Sequence, residues 1–595
     1  MFSKFSRRAR RAARQPATWG LVAAGGLGVG WLALTAVLAR GHLEQAAADA
    51  AAMRTHLADG DLGAARAAAA DLRLQVAKAH HWTGGPVWAA AARVPTAGDP
   101  LRSVRGIAAA LDQLGANALP PLLNAGTTLD PASVRTPDGA IDVARLASVA
   151  SPLHAASAAF DASAAAVRAL PGSTWLPPVN AARADLLTQL TKTAATARSA
   201  AAAARILPEL LGAHGSRTYL LTFCNDAEAR GTGGLPGAFM TATVRDGHVS
   251  FEHLGADRAL SGASANVNFG PDYDRLYEGA HTTSMYGNAN LGPHFPYAAA
   301  IWASMWQQHF GRPVDGVIAL DPTVLSYLLA ATGPAKLPDG SVVSATNVVA
   351  LTERDVYARF PDADGPRGDA ARRAYLAAVE GAVSERIMAP GADGKKLLSA
   401  FGRAVGERRL LVWSANPAVQ RDLETTPVAG VVPQTTAPYV GLSIVNEGGN
   451  KLDYYLDRSL IWQRTGCGAQ RAVTVTIRLT NNAPAAGLSD VVTYRHDRHG
   501  YPVQRGDNRL TLSYFATRGA LMKSVTLDGK PWFAGSGTQL GHPVLTVDVE
   551  MPRGHTRTVV LHLLEPAGGN AAPMVLRQPL VRPLAVQVDD AQCGR

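Results

Sequence analysis

Residues Thr218–Phe239 read TYLLTFCNDAEARGTGGLPGAF, and this stretch decides the fold prediction. The apolar run Tyr219–Phe223 predicts a buried strand, because short apolar runs bounded by turn-forming residues are typical of strands in sheet cores. Charged residues and a glycine-rich segment follow at once, and glycine lets a backbone approach a ligand closely. Since α/β proteins commonly carry ligand chemistry at strand ends, we interpret the segment after Phe223 as a loop with a site. The alternative is a solvated turn with one charge pair.

The wider region 206–425 alternates strand-like and helix-like runs. The strand-like runs are 218–223, 239–244, 248–254 and 314–320, and the helix-like runs are 296–310, 322–332 and 370–387. The Asp246-Gly247 pair between two of the strand-like runs is a strong hairpin signal. This alternation predicts an α/β sandwich core with a mixed sheet.

Residues 441–595 have the period-2 pattern of β-strands, and they follow a segment, 426–440, that we interpret as a linker. The strand-like runs are Ala472–Leu479, Val491–Tyr494, Arg509–Tyr514, Val544–Val549 and Thr558–Leu564. Short strands at regular spacing predict a β-sandwich-like C-terminal domain. It is either a glycan-binding module or a packing domain, and the pattern does not separate the two.

The N-terminus has the pattern of a membrane anchor. Residues 1–17 form a basic tail without acidic residues, and residues 18–39 carry no charge. The uncharged run is long enough for one transmembrane helix, which needs about 20 apolar residues. The positive-inside rule places the basic tail in the cytoplasm. The alternative is a cleaved signal peptide ending at Val37-Leu38-Ala39, although the apolar run exceeds the usual core of such peptides.

Both interpretations place the rest of the chain outside the plasma membrane. Residues 40–205, which come first, are rich in alanine and have apolar residues at helical spacing. This pattern predicts a helical membrane-proximal region of packed helices. The whole chain is therefore predicted to be an α+β multidomain protein that faces the cell envelope.

The formal net charge is +10 and the pI is about 9.6. The arginines are dispersed and six basic residues lie in the cytoplasmic tail, so we predict no nucleic-acid partner. Membrane lipid headgroups and acidic envelope polymers are better candidates. Three cysteines exclude a disulfide-stapled scaffold. Cys467 and Cys593 flank the last domain and are the natural disulfide pair of an exported protein, whereas Cys224 is expected to be a small buried hydrophobe.

The layout resembles an uncharacterised bacterial membrane family, the domain of unknown function 4012. The resemblance is carried by Asn225, Glu228, Arg230, Gly233 and Gly234 in the quoted stretch, by Asn288-Ala-Asn290, and by the segments Val314–Pro322 and Val445–Asp453. Families of this kind usually have an amide where this chain has Cys224, so that position is not expected to be catalytic.

The central domain resembles, more distantly, the LytR–CpsA–Psr family of envelope phosphotransferases. Three stretches follow the order of that family, namely Cys224–Met240, Ala289–Leu337 and Asn347–Leu376. Such enzymes take a glycopolymer from a polyprenyl-pyrophosphate carrier and attach it to peptidoglycan. The usual Arg-Gln pair of the family is Arg372-Arg373 here, and its first acidic position is either Asp226 or Glu228.

This resemblance implies a site for a pyrophosphate-linked donor. Arginine forks bind phosphate oxygens in a bidentate manner, and Mg²⁺ prefers carboxylates together with phosphate oxygens. The implied catalytic residues are Arg230, Arg359, Arg372 and Arg373, the implied Mg²⁺ ligands are Asp226, Glu228 and Asp362, and the implied substrate-binding residues are Asn225, Gly233, Gly234 and Asn290. The stripe of Trp302, Trp306 and Phe310 is expected to be core, with a groove for the lipid carrier as the alternative.

Two functions follow. The first is transfer of a polyprenyl-pyrophosphate-linked glycan to an envelope acceptor. The alternative is a non-catalytic envelope scaffold or glycan-binding protein that retains the fold. Arginines and an acid that converge on one pocket would favour the enzyme, and arginines scattered on the surface would favour the alternative.

Overall fold

The computed structural model describes the backbone of residues 15–591, except 60, 129–135, 137, 139, 362–364, 389–392, 498–499 and 567–571. Side chains are described for the same residues without 15–26, 58–59, 253–254, 256–258, 365–367 and 388. The chain forms two compact units, Met1–Val134 with Asp142–Pro208, and Arg135–Ile141 with Glu209–Arg595. The architecture is mixed α+β and multidomain, as the sequence predicts, and each unit is described by itself.

The first unit is helical, which confirms the prediction for the alanine-rich region. Its helices are α1 (Gln15–Asp59), α2 (Leu62–Gly84), α3 (Pro86–Ala91), α4 (Asp99–Asn117), α5 (Leu119–Thr128), α6 (Val143–Ser148), α7 (Ala150–Arg168) and α8 (Pro177–Leu210). Alanines such as Ala156 and Ala194 are fully buried between helices, where their small side chains permit close packing. Asp61 caps α2 by accepting a hydrogen bond from the Ala64 backbone N–H.

The predicted transmembrane segment, residues 18–39, lies within α1. Among the described residues, no helix combines the length and the apolar character that crossing a membrane requires. The side chains of 15–26, which form part of the predicted segment, lie outside the described part of the chain.

The second unit begins with a five-stranded mixed sheet. The strands of this region are β1 (Arg217–Arg230), β2 (Gly233–Arg245), β3 (His248–Ala256), β4 (Gly316–Leu320), β5 (Ala335–Lys336), β6 (Val342–Val343) and β7 (Leu410–Ser414). The sheet order is β3-β2-β1-β4-β7, in which β1 runs parallel to β4 and every other neighbour is antiparallel. The predicted hairpin turn is present, with Asp246 and Gly247 both at positive φ.

Helices pack on both faces of this sheet. They are α9 (Pro271–Leu276), α10 (Phe295–Phe310), α11 (Pro322–Thr332), α12 (Val348–Ala350), α13 (Val356–Arg359), α14 (Gly365–Met388), α15 (Gly394–Gly406) and α16 (Pro417–Leu423). Alternate residues of β4 serve the two faces, since Val317 packs with α10 and Leu320 packs with α11. Trp302 and Trp306 are fully buried, which confirms the prediction that this stripe is core.

The decisive stretch differs from its prediction. The segment after Phe223 is not a loop, because β1 continues to Arg230 and β2 begins at Gly233. The two strands pair as a hairpin, with irregularities between Phe223 and Cys224 and between Asn225 and Ala229. The charged residues do not end the strand, since each finds a buried partner, as described below.

The hairpin needs a glycine where its two backbones approach. A Cβ on Gly234 would lie 2.1 Å from the Asn225 carbonyl carbon. The Asn290 side chain closes the turn by donating to Thr232 Oγ1 at 2.9 Å and to the Gly234 carbonyl at 3.0 Å. The glycine-rich composition therefore serves strand pairing in this structure.

The remainder of the second unit is a pair of β-sheets. Their strands are β8 (Tyr439–Asn446), β9 (Leu456–Thr465), β10 (Gln470–Asn481), β11 (Asn508–Phe515), β12 (Leu521–Leu527), β13 (Lys530–Pro531), β14 (Gly535–Gln539), β15 (His542–Met551), β16 (Thr556–Pro566), β17 (Met574–Arg577) and β18 (Leu584–Asp590). The orders are β13-β12-β16-β10-β9-β18 and β14-β15-β11-β8-β17. Alternate residues of both sheets form one hydrophobic core, which contains Trp462 and Leu512.

Two segments of this part differ from a simple reading of the pattern. The run Val491–Tyr494, predicted as a strand, is a short helix, α17 (Asp490–Thr493). The prediction was wrong because four residues are too few to distinguish the two-residue period of a strand from the 3.6-residue period of a helix. Residues 426–440, predicted as a linker, make specific contacts. Arg408 donates to the Gly430 carbonyl, and the Val432 N–H donates to His294.

We expect Gly234→Ala to lower the free energy of unfolding by about 1 to 3 kcal/mol, because its Cβ would collide with rigid backbone. Gly237→Ala in the same strand is the matched control, since its Cβ would meet nothing within 4 Å. Urea unfolding of both variants measures the difference. Equal midpoints would show that the close approach is not a constraint.

Candidate functional site

Strand β1 carries three charged side chains into the protein interior. Asp226, Glu228 and Arg230 are between 1% and 7% exposed. A buried charge costs several kcal/mol unless it is paired, so the partners of these groups define the chemistry of the region.

Arg409 joins two acids. Its Nη1 lies 3.1 Å from Asp226 Oδ2 and 2.6 Å from Asp321 Oδ2, and its Nη2 donates to the Leu580 carbonyl. Asp321 also caps α11 by accepting from the Val324 N–H. One buried guanidinium therefore links β1, the start of α11 and the chain between β17 and β18.

Two acids here have raised pKa values. Burial, followed by the neighbouring Asp321, raises the pKa of Asp226 well above its usual range, while Arg409 opposes the shift. Asp226 Oδ1 accepts no hydrogen bond from the described residues. Burial also raises the pKa of Glu353 to about 8. These carboxyls therefore hold a proton more readily than exposed acids do.

Glu353 holds the irregular part of β1. Its Oε1 accepts from the Asp226 N–H at 3.1 Å and its Oε2 accepts from the Ala227 N–H at 2.8 Å. It lies on a π-helical turn, Leu351–Asp355, between α12 and α13. Such turns are rare and recur at functional sites, so this position deserves a functional test.

A second buried group surrounds Glu228. Arg230 Nη2 lies 2.9 Å from Glu228 Oε1, and Lys451 contacts Glu228 Oε2. Burial opposes ionisation of Glu228, but Lys451 and Arg230 outweigh it and lower the pKa of this carboxyl. Arg230 also donates to the carbonyls of Gly287 and Asn446.

Amide side chains complete the network toward the C-terminal sheets. Asp453 accepts from the Ala229 N–H and from the side chains of Asn446 and Asn508. Burial raises the pKa of Asp453 to about 6. Gln578 donates to the carbonyls of Arg230 and Ile444. The end of β1 is therefore hydrogen-bonded into the neighbouring sheet.

The other predicted arginines lie elsewhere. Arg359 is half exposed, pairs with Asp339 at 2.8 Å and stacks over Tyr375. Arg372 and Arg373 both pair with Asp369. Asp362 lies outside the described residues. The four arginines predicted to form one site therefore belong to three different sets of ion pairs, counting the pair of Arg230 with Glu228.

The predicted substrate-binding residues have structural contacts. The Asn225 amide donates to the Tyr357 hydroxyl at 2.6 Å, and Arg372 lies over the Tyr357 ring. Gly233 pairs with Arg230 and Gly234 pairs with Ala229 in the hairpin. Asn290 closes the hairpin turn, as described above.

Two of the predicted Mg²⁺ ligands, Asp226 and Glu228, contact cationic side chains. Both oxygens of Glu228 contact cationic side chains, and Asp226 Oδ2 contacts Arg409. Among the described residues, no three His, Cys, Asp or Glu side chains converge in a way that could hold a metal ion. Because Asp362 is outside that part of the chain, Mg²⁺ binding stays a prediction.

A cavity of about 250 Å³ lies beside the network. We name it the Lys451 cavity. Its lining residues are Glu353, Arg354, Asp355, Ala358, Lys451, Tyr455, Pro484, Ala486, Gly487, Leu488, Ser489 and Val492. None of the four predicted catalytic arginines is among them.

Sequence reasoning missed Arg409, Glu353 and Lys451. Arg409 is 183 residues from Asp226, and Lys451 is 223 residues from Glu228, so no local spacing connects either pair. The one available signal was the segment Val445–Asp453, which the family resemblance includes and which contains Lys451 and Asp453.

The cysteine predictions have different outcomes. Cys224 is a free buried thiol, as predicted. Burial raises its pKa well above the usual range, so it is a poor nucleophile. Cys593 lies outside the described residues, and the Cys467–Cys593 bridge stays a prediction.

We expect Arg409→Met to lower the free energy of unfolding by about 3 kcal/mol, because Asp226 and Asp321 would lose their shared cation in a buried position. The matched control is Arg403→Met, which breaks an exposed pair with Glu407 and should cost well under about 1 kcal/mol. Thermal and urea unfolding of both variants tests this. A small, equal loss in both would contradict a central role for Arg409.

Glu380 gives a pH test outside the network. It lies on α14, its Oε2 accepts no hydrogen bond from the described residues, and burial raises its pKa to about 8. The folded state therefore keeps a proton that the unfolded chain releases near pH 4.5, so stability falls as pH rises through this window. The free energy of unfolding of Glu380→Gln, relative to that of the parent, should therefore increase by about 1.4 kcal/mol per pH unit between pH 5 and pH 8.

The readout is the urea midpoint at pH 5, 6.5 and 8. Glu385→Gln, on an exposed position of the same helix, is the matched control. A difference between Glu380→Gln and the parent that stays constant with pH would contradict the raised pKa of Glu380.

Comparison with known proteins agrees with one of the two resemblances. A family model described as "Protein of unknown function (DUF4012)" matches residues 214–357. No curated protein matches the chain. A similar solved structure is that of the Lin1025 protein from Listeria innocua, at 14% identity over 36% of this chain and 78% of that one. Its TM-score is 0.20, so we infer nothing about the fold or function of this chain from it. The LytR–CpsA–Psr resemblance stays a prediction, whereas the predicted resemblance to the DUF4012 family is confirmed over residues 214–357.

Proposed function

We propose that this chain is a non-catalytic cell-envelope protein that binds a glycan rather than transferring one. In this proposal residues 18–39 anchor it in the plasma membrane, with the basic tail in the cytoplasm and the bulk outside. Its partners are membrane lipid and an envelope polymer, and it does not act on nucleic acid.

One observation supports the absence of transfer chemistry. The charged groups that the resemblance assigns to a pyrophosphate site are, apart from Asp362 outside the described residues, engaged by one another or by nearby protein groups. Arg230 is buried against Glu228 and two backbone carbonyls, and Arg359 pairs with Asp339 on the surface. Phosphoryl transfer depends on cations that are free to neutralise the charge that develops on phosphate oxygens.

Freeing these groups would be costly. Moving Arg230 toward a donor would leave Glu228 with Lys451 as its one cationic partner among the contacts described, which weakens a buried ionic group. A substrate would have to offset this loss before any chemistry began. The arrangement therefore fits a retained scaffold better than an active centre.

The test is phosphate release by the full chain, with a short-chain polyprenyl pyrophosphate and Mg²⁺. We expect no release above the protein-free rate, and no change with Arg359→Ala or Arg372→Ala. Co-sedimentation with an insoluble cell-wall polysaccharide is expected to retain the chain. Turnover that Arg359→Ala and Arg372→Ala both abolish would overturn the proposal and support a transferase.

A further inference from the structure

One edge of the C-terminal sandwich carries a cluster of exposed apolar side chains. Leu521, Met522, Trp532 and Phe533 are between 40% and 84% exposed. They lie on β12 and on the chain that follows β13, at one edge of the six-stranded sheet. Single exposed apolar residues are common on protein surfaces, but several on adjoining segments of chain mark a contact surface. We name these four residues the Phe533 patch.

The backbone that presents the patch is already ordered. β12 turns into β13 through Asp528 and Gly529, which both have the positive φ of a two-residue hairpin turn. The Trp532 backbone N–H then donates to the Val525 carbonyl at 3.1 Å, so the chain beyond β13 stays alongside β12. The Trp532 indole N–H donates to the Asp548 carbonyl, which fixes the ring. Contact with a partner would therefore cost little ordering of the backbone.

The charge around the patch is positive. Between β11 and β14 the chain carries three basic side chains, Arg518, Lys523 and Lys530, and one acid, Asp528. That acid lies 2.7 Å from Arg557 on β16, so its charge is already matched. Lys523 and Lys530 are both exposed. A partner that complements this surface combines apolar groups with negative charge.

A further β-strand is a poor partner for this edge. β13 pairs with β12 at Thr526 and Leu527, which leaves the earlier residues of β12 without that neighbour. The pairing of β12 with β16 is irregular between Met522 and Ser524, where Lys523 lies. Bulges and lysines on edge strands are features that oppose the addition of another strand. A second copy of this chain that extends the sheet is therefore disfavoured.

A glycan also matches the patch less well than lipid does. Sugar hydroxyls need hydrogen-bonding groups beside an aromatic face, and the Trp532 indole N–H already donates to the Asp548 carbonyl. The side chains of Leu521 and Phe533 have no hydrogen-bonding group, and a methionine thioether is only a weak acceptor. Lipid acyl chains require no hydrogen bonds, and tryptophan is typical of the boundary between acyl chains and headgroups.

We propose that the Phe533 patch inserts into the surface of an anionic lipid membrane, with Lys523 and Lys530 against the headgroups. This inference rests on the proposed location at the plasma membrane, and it names a lipid-contacting surface in addition to residues 18–39. Apolar burial and attraction to anionic lipids act together in contacts of this kind.

The test uses the full chain with lipid nanodiscs that contain a doxyl-labelled lipid as a quencher. Ser524→Cys, an exposed position on β12, carries an NBD fluorophore. We expect its quenching to be at least about threefold greater in discs with about 30% phosphatidylglycerol than in neutral phosphatidylcholine discs. Gln587→Cys is the control position, because β18 forms the opposite edge of the same sheet, and its label should show no such difference. The parent chain, labelled in parallel, gives the background from the native cysteines.

Further substitutions in the Ser524→Cys chain localise the contact. Phe533→Asp should remove most of the quenching, whereas Val588→Asp, at a position 39% exposed on β18, should retain it as the matched control. Lys523→Gln combined with Lys530→Gln should remove the difference between the two kinds of disc, because that difference depends on charge. All of these positions are exposed, so the thermal midpoints of the variants should match that of the parent.

Equal quenching at the two label positions would overturn the inference, as would quenching that persists in Phe533→Asp. A label at position 524 that responds to soluble cell-wall polysaccharide but not to lipid would overturn it in favour of a glycan surface. A dimer that Phe533→Asp dissociates, without lipid quenching, would overturn it in favour of self-association.

The proposed function is decided separately. Phosphate release and co-sedimentation with polysaccharide do not use the label, and recovery of the chain with the discs tests the anchor. The label reports lipid contact at the Phe533 patch whether or not residues 18–39 hold the chain in the disc.

Discussion

The burial of charge on β1 is the constraint on which the second unit depends. Asp226, Glu228 and Arg230 enter the interior on one strand, and each is matched by a group from a distant part of the chain. Arg409 contributes most to this matching, because one guanidinium serves two acids and also a backbone carbonyl near β18. Without these partners, the part of the strand beyond Phe223 would bury unpaired charges, which costs several kcal/mol.

The same network joins two kinds of secondary structure. The α/β sheet ends its central strand against the C-terminal sheets, where Asp453 and Gln578 bond to the backbone of Ala229 and Arg230. Buried polar contacts contribute little net stability compared with an apolar interface, but they tolerate few alternative registers. The pairing of sheet and sandwich is therefore specified by hydrogen bonds, while the apolar clusters on either side provide most of the burial energy.

This arrangement explains how a pattern typical of phosphate chemistry can serve structure. Arginines and acids in a fixed order are needed by an enzyme that neutralises a pyrophosphate, and they are equally suited to forming a buried ionic network. The difference lies in whether the cations face a cavity. Here Arg230 is paired with Glu228 in the interior, and none of the four predicted arginines lines the cavity beside the network.

The sequence by itself determined the helical first unit, the mixed sheet with its Asp246-Gly247 turn and the core position of Trp302 and Trp306. It also carried the resemblance to the DUF4012 family over residues 214–357. These features depend on local periodicity and turn chemistry, which neighbouring residues specify. Only the tertiary structure decided that the glycine-rich segment is a strand and that Arg409, Glu353 and Lys451 complete the charged groups of β1. Contacts between residues far apart in sequence leave no local pattern, and whether a charge is solvated or buried depends on elements that the chain supplies much later.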